Sequence, residues 1–165
     1  MPLPPNQQSE IAFIALGSNL GDARKNVLHA VGLLQFLSDR PLRLSSLWET
    51  APVDCPPGSP PFINAVAGLV PRPGETPRTL LTQLQSFEKE IGREPKKILN
   101  EPRVIDLDLI SFAGQIIREP DLVLPHPRAH LRRFVLEPLS EIAPDYLLPG
   151  QSKTVVELLR GLESV

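Results

Sequence analysis

The placement of proline sets the first limit on this chain. Its twenty prolines gather mainly at 52–61, 71–77, 95–102 and 120–127. Proline holds φ at about −65° and has no N–H, so it is excluded from helix interiors and central strands. These groups therefore mark shaped loops, and regular elements must lie between them. Loops of this kind on a rigid scaffold often carry function.

Between the proline groups the hydrophobic pattern alternates in type. Residues 11–16 form a short apolar run ending at Gly17, as expected of a buried strand. Gly17-Ser18-Asn19-Leu20-Gly21-Asp22 reads as a turn, with Asp22 capping a helix whose apolar positions are Val27, Leu28, Val31, Leu34 and Leu37. Residues 42–49 alternate as a second strand, and 62–70 form a third. Thr76-Pro77 opens a second helix, with Leu80, Leu81, Leu84, Phe87, Glu88 and Ile91 at helical spacing and Gly92 as its stop. A fourth strand spans 104–112, turns at Ala113-Gly114 and runs into Gln115-Ile116-Ile117. Short helical pieces are expected over 127–142 and a last helix over 154–161. The order βαββαβ predicts a ferredoxin-like α+β sandwich with an additional C-terminal strand and helices. Residues 1–10 are expected to be a flexible tail and 11–165 a single domain. That fold hosts many activities, so chemistry must come from particular residues.

Composition narrows the classes. A chain of 165 residues, 41% hydrophobic and 22% charged, has the make-up of one globular domain. A net charge of −2 argues against a general nucleic-acid binder. The single cysteine, Cys55, cannot close an internal disulfide, which fits a reducing cytoplasm. No apolar run reaches the roughly 20 residues of a membrane span. No basic region followed by an apolar stretch opens the chain, so no secretory signal is expected.

The chemistry concentrates at Pro102-Arg103-Val104-Ile105-Asp106-Leu107-Asp108-Leu109-Ile110. Side chains alternate along a strand, so Asp106 and Asp108 share one face while Ile105, Leu107 and Leu109 enter a core. Such a pair is either a solvated face with Arg or Lys partners, or an oxygen-only metal site. Mg²⁺ is usually held by one or two carboxylates plus substrate phosphates. Nearby cations favour the second reading. Arg93, Lys96, Lys97 and Arg103 lead into the pair, and residues 125–134 add three arginines and two histidines. The bland alternative for that loop is solvation; the functional one is neutralisation of a polyphosphate by bidentate arginines.

Asn64 interrupts an apolar strand. Its amide either satisfies the backbone of the proline-rich loop or reads the edge of a heterocycle. Phe62 and Phe134 are core residues or stacking rings. The Gly17–Gly21 turn lacks the Gly-Lys-Ser/Thr ending of a nucleotide loop. His126 stands between two prolines beside the arginines.

Several segments, in order, resemble the 6-hydroxymethyl-7,8-dihydropterin pyrophosphokinase family. They are Ala15-Leu16-Gly17-Ser18-Asn19-Leu20-Gly21, Thr50-Ala51-Pro52-Val53, Phe62-Ile63-Asn64-Ala65-Val66, the segment from Pro102 to Asp108, Leu124-Pro125-His126-Pro127 and Arg133-Phe134-Val135-Leu136-Glu137-Pro138-Leu139. The resemblance implies transfer of pyrophosphate from ATP to the pterin hydroxymethyl group, with release of AMP, in folate biosynthesis. It implies two Mg²⁺ ions held by Asp106 and Asp108, with Arg93 and Arg103 also catalytic. It places the pterin between Phe62 and Phe134, with its polar edge on Asn64 and near Thr50 and Val53. It places Gln85, Glu88, Arg93, Arg103, Leu109, His126 and Arg132 on the ATP side. A monomer that binds neither nucleic acid nor membrane is expected.

One departure stands out. The family's loop before the carboxylate strand usually resembles Arg-Trp-Gly-Pro-Arg, whereas this chain has Leu99-Asn100-Glu101-Pro102-Arg103. Pro95 also replaces a common basic residue. Rival readings are another metal-dependent phosphoryl or nucleotidyl transferase, a pterin- or nucleotide-binding module without turnover, and an RNA-binding ferredoxin-like domain. The last lacks the expected aromatic strand motifs.

Overall fold

The computed structural model describes residues 8–52, 55–92 and 103–163. Val53, Arg93, Pro95, Lys96, Lys97, Leu99, Asn100, Glu101 and Pro102 lie outside the described residues. The elements are β1 (Ala12–Ser18), α1 (Ala23–Leu37), β2 (Arg43–Leu44), β3 (Trp48–Thr50), β4 (Phe62–Leu69), α2 (Pro77–Ile91), β5 (Asp106–Phe112), β6 (Ile117–Glu119), β7 (Leu122–Leu124), α3 (Arg133–Ile142) and α4 (Val155–Glu163). A single 3₁₀ turn, Ala129–Leu131, precedes α3.

β1 lies between β4 and β5, antiparallel to both. β2 and β3 share the outer side of β4, giving the order β2-β4-β1-β5 with β3 beside β4. This is the ferredoxin-like arrangement expected from the element order. Both faces are covered. Ala12, Ile14 and Leu16 of β1 pack with Val27, Ala30 and Leu34 of α1 and Leu80 and Leu84 of α2. Phe13 and Ala15 point the other way, onto Val135, Leu136 and Leu139 of α3 and Val155 of α4. The C-terminal helices thus form a full second layer, and between them Tyr146 packs its ring, tilted by 48°, on Phe13 at 4.9 Å between ring centroids.

The helix ends obey local rules. Asp22 accepts the Lys25 N–H at 3.2 Å. Thr76 and Thr79 cap α2 reciprocally, Pro77 fills its first position, and Gly92 closes it at φ 114°.

Four expectations need correction. The strand expected over 42–49 is broken, because Ser45 turns its hydroxyl to the Val66 N–H at 2.9 Å and Ser46 turns toward Glu141. The additional strand is a hairpin, β6–β7, which forms its own two-stranded sheet. Leu28 is 54% exposed, because α1 turns only Val27, Ala30 and Leu34 fully inward. Gln8, placed in the tail, is buried, and its carbonyl accepts the Ile11 N–H at 3.2 Å.

Candidate active site

Residues directly opposite each other on neighbouring strands share a face. Gly17 of β1 is opposite Asn64 on one side and Asp106 on the other. Ala15 is opposite Val66 and Asp108. Asn64, Gly17 and Asp106 therefore form a row across three strands, with Asp108 two residues along on the same face. Thr50 and Trp48 extend it, opposite Phe62 and Asn64. The floor between the amide and the carboxylates is built from glycine and alanine. A Cβ on Gly17 would stand 3.0 Å from Asn64 Oδ1 and 3.6 Å from Phe62 Cδ1. The missing side chain is what leaves the floor open.

Asn64 is 5% exposed, and its Nδ2 donates to Thr50 Oγ1 at 2.5 Å. It does not bond the proline-rich loop through any described contact. That task falls to Asn19, whose Nδ2 donates to the Pro60 carbonyl at 3.1 Å. Asn19 Oδ1 also accepts the Arg103 N–H at 2.8 Å, and its own N–H donates to the Arg103 carbonyl at 3.0 Å. This buried amide joins the turn after β1 to both loops that border the row. The sequence read that turn only as a turn; a lone asparagine inside it was the available signal.

Arg103 reaches Asp106 with its guanidinium at 2.5 Å, and both side chains are mostly covered. Asp106 and Asp108 are each half-buried. Among the described residues no group of three or more His, Cys, Asp or Glu is placed to hold a metal ion. Asp106 and Asp108 could offer an ion two carboxylates and no nitrogen or sulfur, a set that fits Mg²⁺ where a ligand supplies further oxygens.

The cationic side lies beyond Ile110. His126 donates its backbone N–H to the Ile110 carbonyl at 2.8 Å, which fixes the 125–132 segment beside β5. Its Nδ1 accepts the Arg128 N–H at 3.1 Å. Burial, with Arg132 and then Arg128 adding repulsion, pushes the imidazole down to about 4. At neutral pH the ring is uncharged, and with Nδ1 accepting, its proton sits on Nε2. The Arg132 guanidinium lies 5.4 Å from the Phe134 ring centre, within cation–π range. Phe134 packs against the second-layer core.

Three of the residues expected on the ATP side sit differently from the rest. Glu88 is buried, and its Oε2 accepts the Leu107 N–H at 3.0 Å, between the two aspartates in sequence. Gln85, one turn earlier on α2, is exposed. The Leu109 side chain points into the opposite core, away from the face that carries the two aspartates.

The 7,8-dihydro-6-hydroxymethylpterin-pyrophosphokinase (HPPK) family profile matches residues 13–144. A 2-amino-4-hydroxy-6-hydroxymethyldihydropteridine pyrophosphokinase of Haemophilus influenzae is 37% identical over 150 residues, 90% of this chain and 91% of that protein. The folic acid synthesis protein fol1 of Schizosaccharomyces pombe is 35% identical over 95% of this chain, which spans only 21% of its length. A crystal structure of a triple mutant of Plasmodium falciparum HPPK-DHPS with pteroate superposes with a TM-score of 0.72 at 16% identity, over 93% of this chain and 43% of that one. That likeness concerns the fold. Sequence match, element order and fold agree: the chain belongs to the 7,8-dihydro-6-hydroxymethylpterin-pyrophosphokinase family.

Proposed function

We propose that the protein transfers the pyrophosphoryl group of ATP to the hydroxymethyl oxygen of 6-hydroxymethyl-7,8-dihydropterin and releases AMP, a step in folate biosynthesis. The row Asn64–Gly17–Asp106 carries this reading. Strands lie about 4.8 Å apart, so Asn64 and Asp106 stand about 10 Å apart across the glycine. That is roughly the reach of a two-ring heterocycle with a one-carbon arm. Asn64 would read the ring edge, with Phe62 below and Phe134 above. The rings would then lie over Gly17, with the hydroxyl at the Asp106 end of the row, next to the carboxylates.

In this reading the hydroxymethyl oxygen attacks the β-phosphorus. The bond from that phosphorus to the α–β bridging oxygen breaks, AMP leaves, and the hydroxyl proton passes to solvent. Two Mg²⁺ ions held by Asp106 and Asp108, when bound, supply charge neutralisation at the phosphates. Arg103, whose backbone N–H is held by Asn19 and whose guanidinium meets Asp106, would turn that guanidinium between Asp106 and phosphate oxygen. Neutral His126 offers Nε2–H as a donor, and Arg132 adds charge beside Phe134. The protein works as a monomer in the cytoplasm, without nucleic-acid or membrane partners. Among the described residues no helix is long and apolar enough to cross a membrane.

The test is AMP release from ATP with Mg²⁺ and the pterin alcohol, with controls lacking pterin or containing EDTA. Release that needs both pterin and Mg²⁺ is expected. AMP formation independent of pterin would point to another transferase, and none under any condition would leave a binding module.

A further inference from the structure

Glu141 belongs to none of the motifs above. It lies in the last turn of α3, seven residues after Phe134. Seven residues make nearly two helical turns, so both side chains leave the same face of α3, toward the sheet. The Glu141 carboxylate accepts the Ser46 N–H at 3.3 Å, the Ser46 hydroxyl at 2.8 Å and the Trp48 indole N–H. These donors stand 95 and 93 residues earlier in the chain.

What they belong to matters. β3 is three residues long and, among the described residues, pairs only with β4. A strand this short on a sheet edge has little pairing of its own. Two residues past Trp48, Thr50 Oγ1 accepts the Asn64 amide N–H. That bond turns the amide so that Oδ1 faces Gly17. The chain of contacts runs from Glu141 through Ser46 and Trp48 to Thr50, and from Thr50 to Asn64.

We propose that Glu141 is a positioning residue: by clamping β3 to α3 it holds Thr50 where the Asn64 amide is fixed for ring recognition. This rests on the pterin reading of the site. Oε1 meets the Ser46 N–H and the Trp48 indole N–H, and Oε2 meets the Ser46 hydroxyl. Alanine removes all of these contacts, whereas glutamine can keep them, its Nε2 donating to the Ser46 hydroxyl oxygen.

Glu141→Ala and Trp48→Phe are to be assayed alone and in an Asn64→Ala background, with Glu141→Gln as the conservative control. Glu141→Ala is expected to raise KM for the pterin by about tenfold or more, and KM for ATP by less than about twofold, while Glu141→Gln stays within about threefold of native for both. In the Asn64→Ala background the added effect of Glu141→Ala on the pterin should fall below about twofold, since the amide through which it acts is gone. Trp48→Phe should act in the same direction and add little to Glu141→Ala. A second measurement does not depend on turnover. Proton exchange of the Asn64 side-chain amide, followed by NMR, should be faster in Glu141→Ala than in the native protein.

An equal rise of both KM values, an undiminished effect in the Asn64→Ala background, or unchanged exchange at Asn64 would each overturn the proposal. If the native protein forms no AMP with the pterin, the functional reading fails, and amide exchange alone still decides the role of Glu141.

Discussion

Gly17→Ala is the smallest change that should separate binding from folding. The new methyl would sit 3.0 Å from Asn64 Oδ1. Ordinary carbon–oxygen contacts begin at about 3.3 Å, so one partner must give way by a few tenths of an ångström. Asn64 is poorly able to yield, being buried and bonded to Thr50. The backbone does not object, because Gly17 has no positive φ. Replacing a strand glycine should even return about 0.5–1 kcal/mol through the unfolded chain. Overpacking at a fixed neighbour costs about 1–3 kcal/mol. The net loss of stability is then at most about 2.5 kcal/mol, a fall in Tm of several degrees for a chain this size. Ligand binding should suffer more selectively. Displacing the amide removes hydrogen bonds worth about 1–3 kcal/mol, or about fivefold to 150-fold in pterin affinity. ATP affinity should change by less than about threefold. Calorimetric titration of each ligand separately, beside a thermal melt, gives all three numbers. An unchanged pterin affinity with a lowered Tm would show that Asn64 does not read the ligand.

Asp106→Ala and Asp108→Ala should each abolish most AMP release at saturating Mg²⁺ while far-UV circular dichroism stays unchanged; near-normal turnover in either would refute the metal assignment. Asn19→Ala should cost about 1–3 kcal/mol in urea unfolding, because the buried amide bonds both Arg103 and Pro60, and should weaken both ligands. His126 is held down to about 4 when folded, against 6.5 unfolded. Its contribution to stability is therefore complete above pH 6.5 and is lost as pH falls toward 4, by about 1–2 kcal/mol once solvent screening of the part-exposed ring is allowed for. Urea unfolding at pH 4.5 and 7 should show that difference shrink in His126→Gln.

The parts of the site set by strand periodicity were legible in the residues. Alternation alone put Asp106 and Asp108 on one face and Leu107 and Leu109 in the core, and the α2 caps announced themselves as Thr76-Pro77 and Gly92. What could not be read were features made by contacts distant in sequence. The break between β2 and β3 depends on Val66 and Glu141, so an alternating stretch looked like one strand. Leu28 fits a helical stripe, yet the stripe that α1 buries is narrower than the apolar pattern. Asn64 alone stands out as a candidate amide for the proline-rich loop, and only the folded contacts assign that loop to Asn19 and the Thr50 hydroxyl to Asn64. Gly17 reads as a strand end; its opposition to both Asn64 and Asp106 needs all three strands.

The sheet has two margins, β5 on one side and β2 with β3 on the other. At each, a helix carboxylate takes a backbone N–H: Glu88 that of Leu107, and Glu141 that of Ser46. An unpaired margin is a template on which a foreign strand can add, and sheets that leave it open tend to aggregate. A strand approaching either margin would have to displace a charged group already bonded there. These two glutamates therefore bear on how the protein behaves in a crowded solution, independently of any ligand.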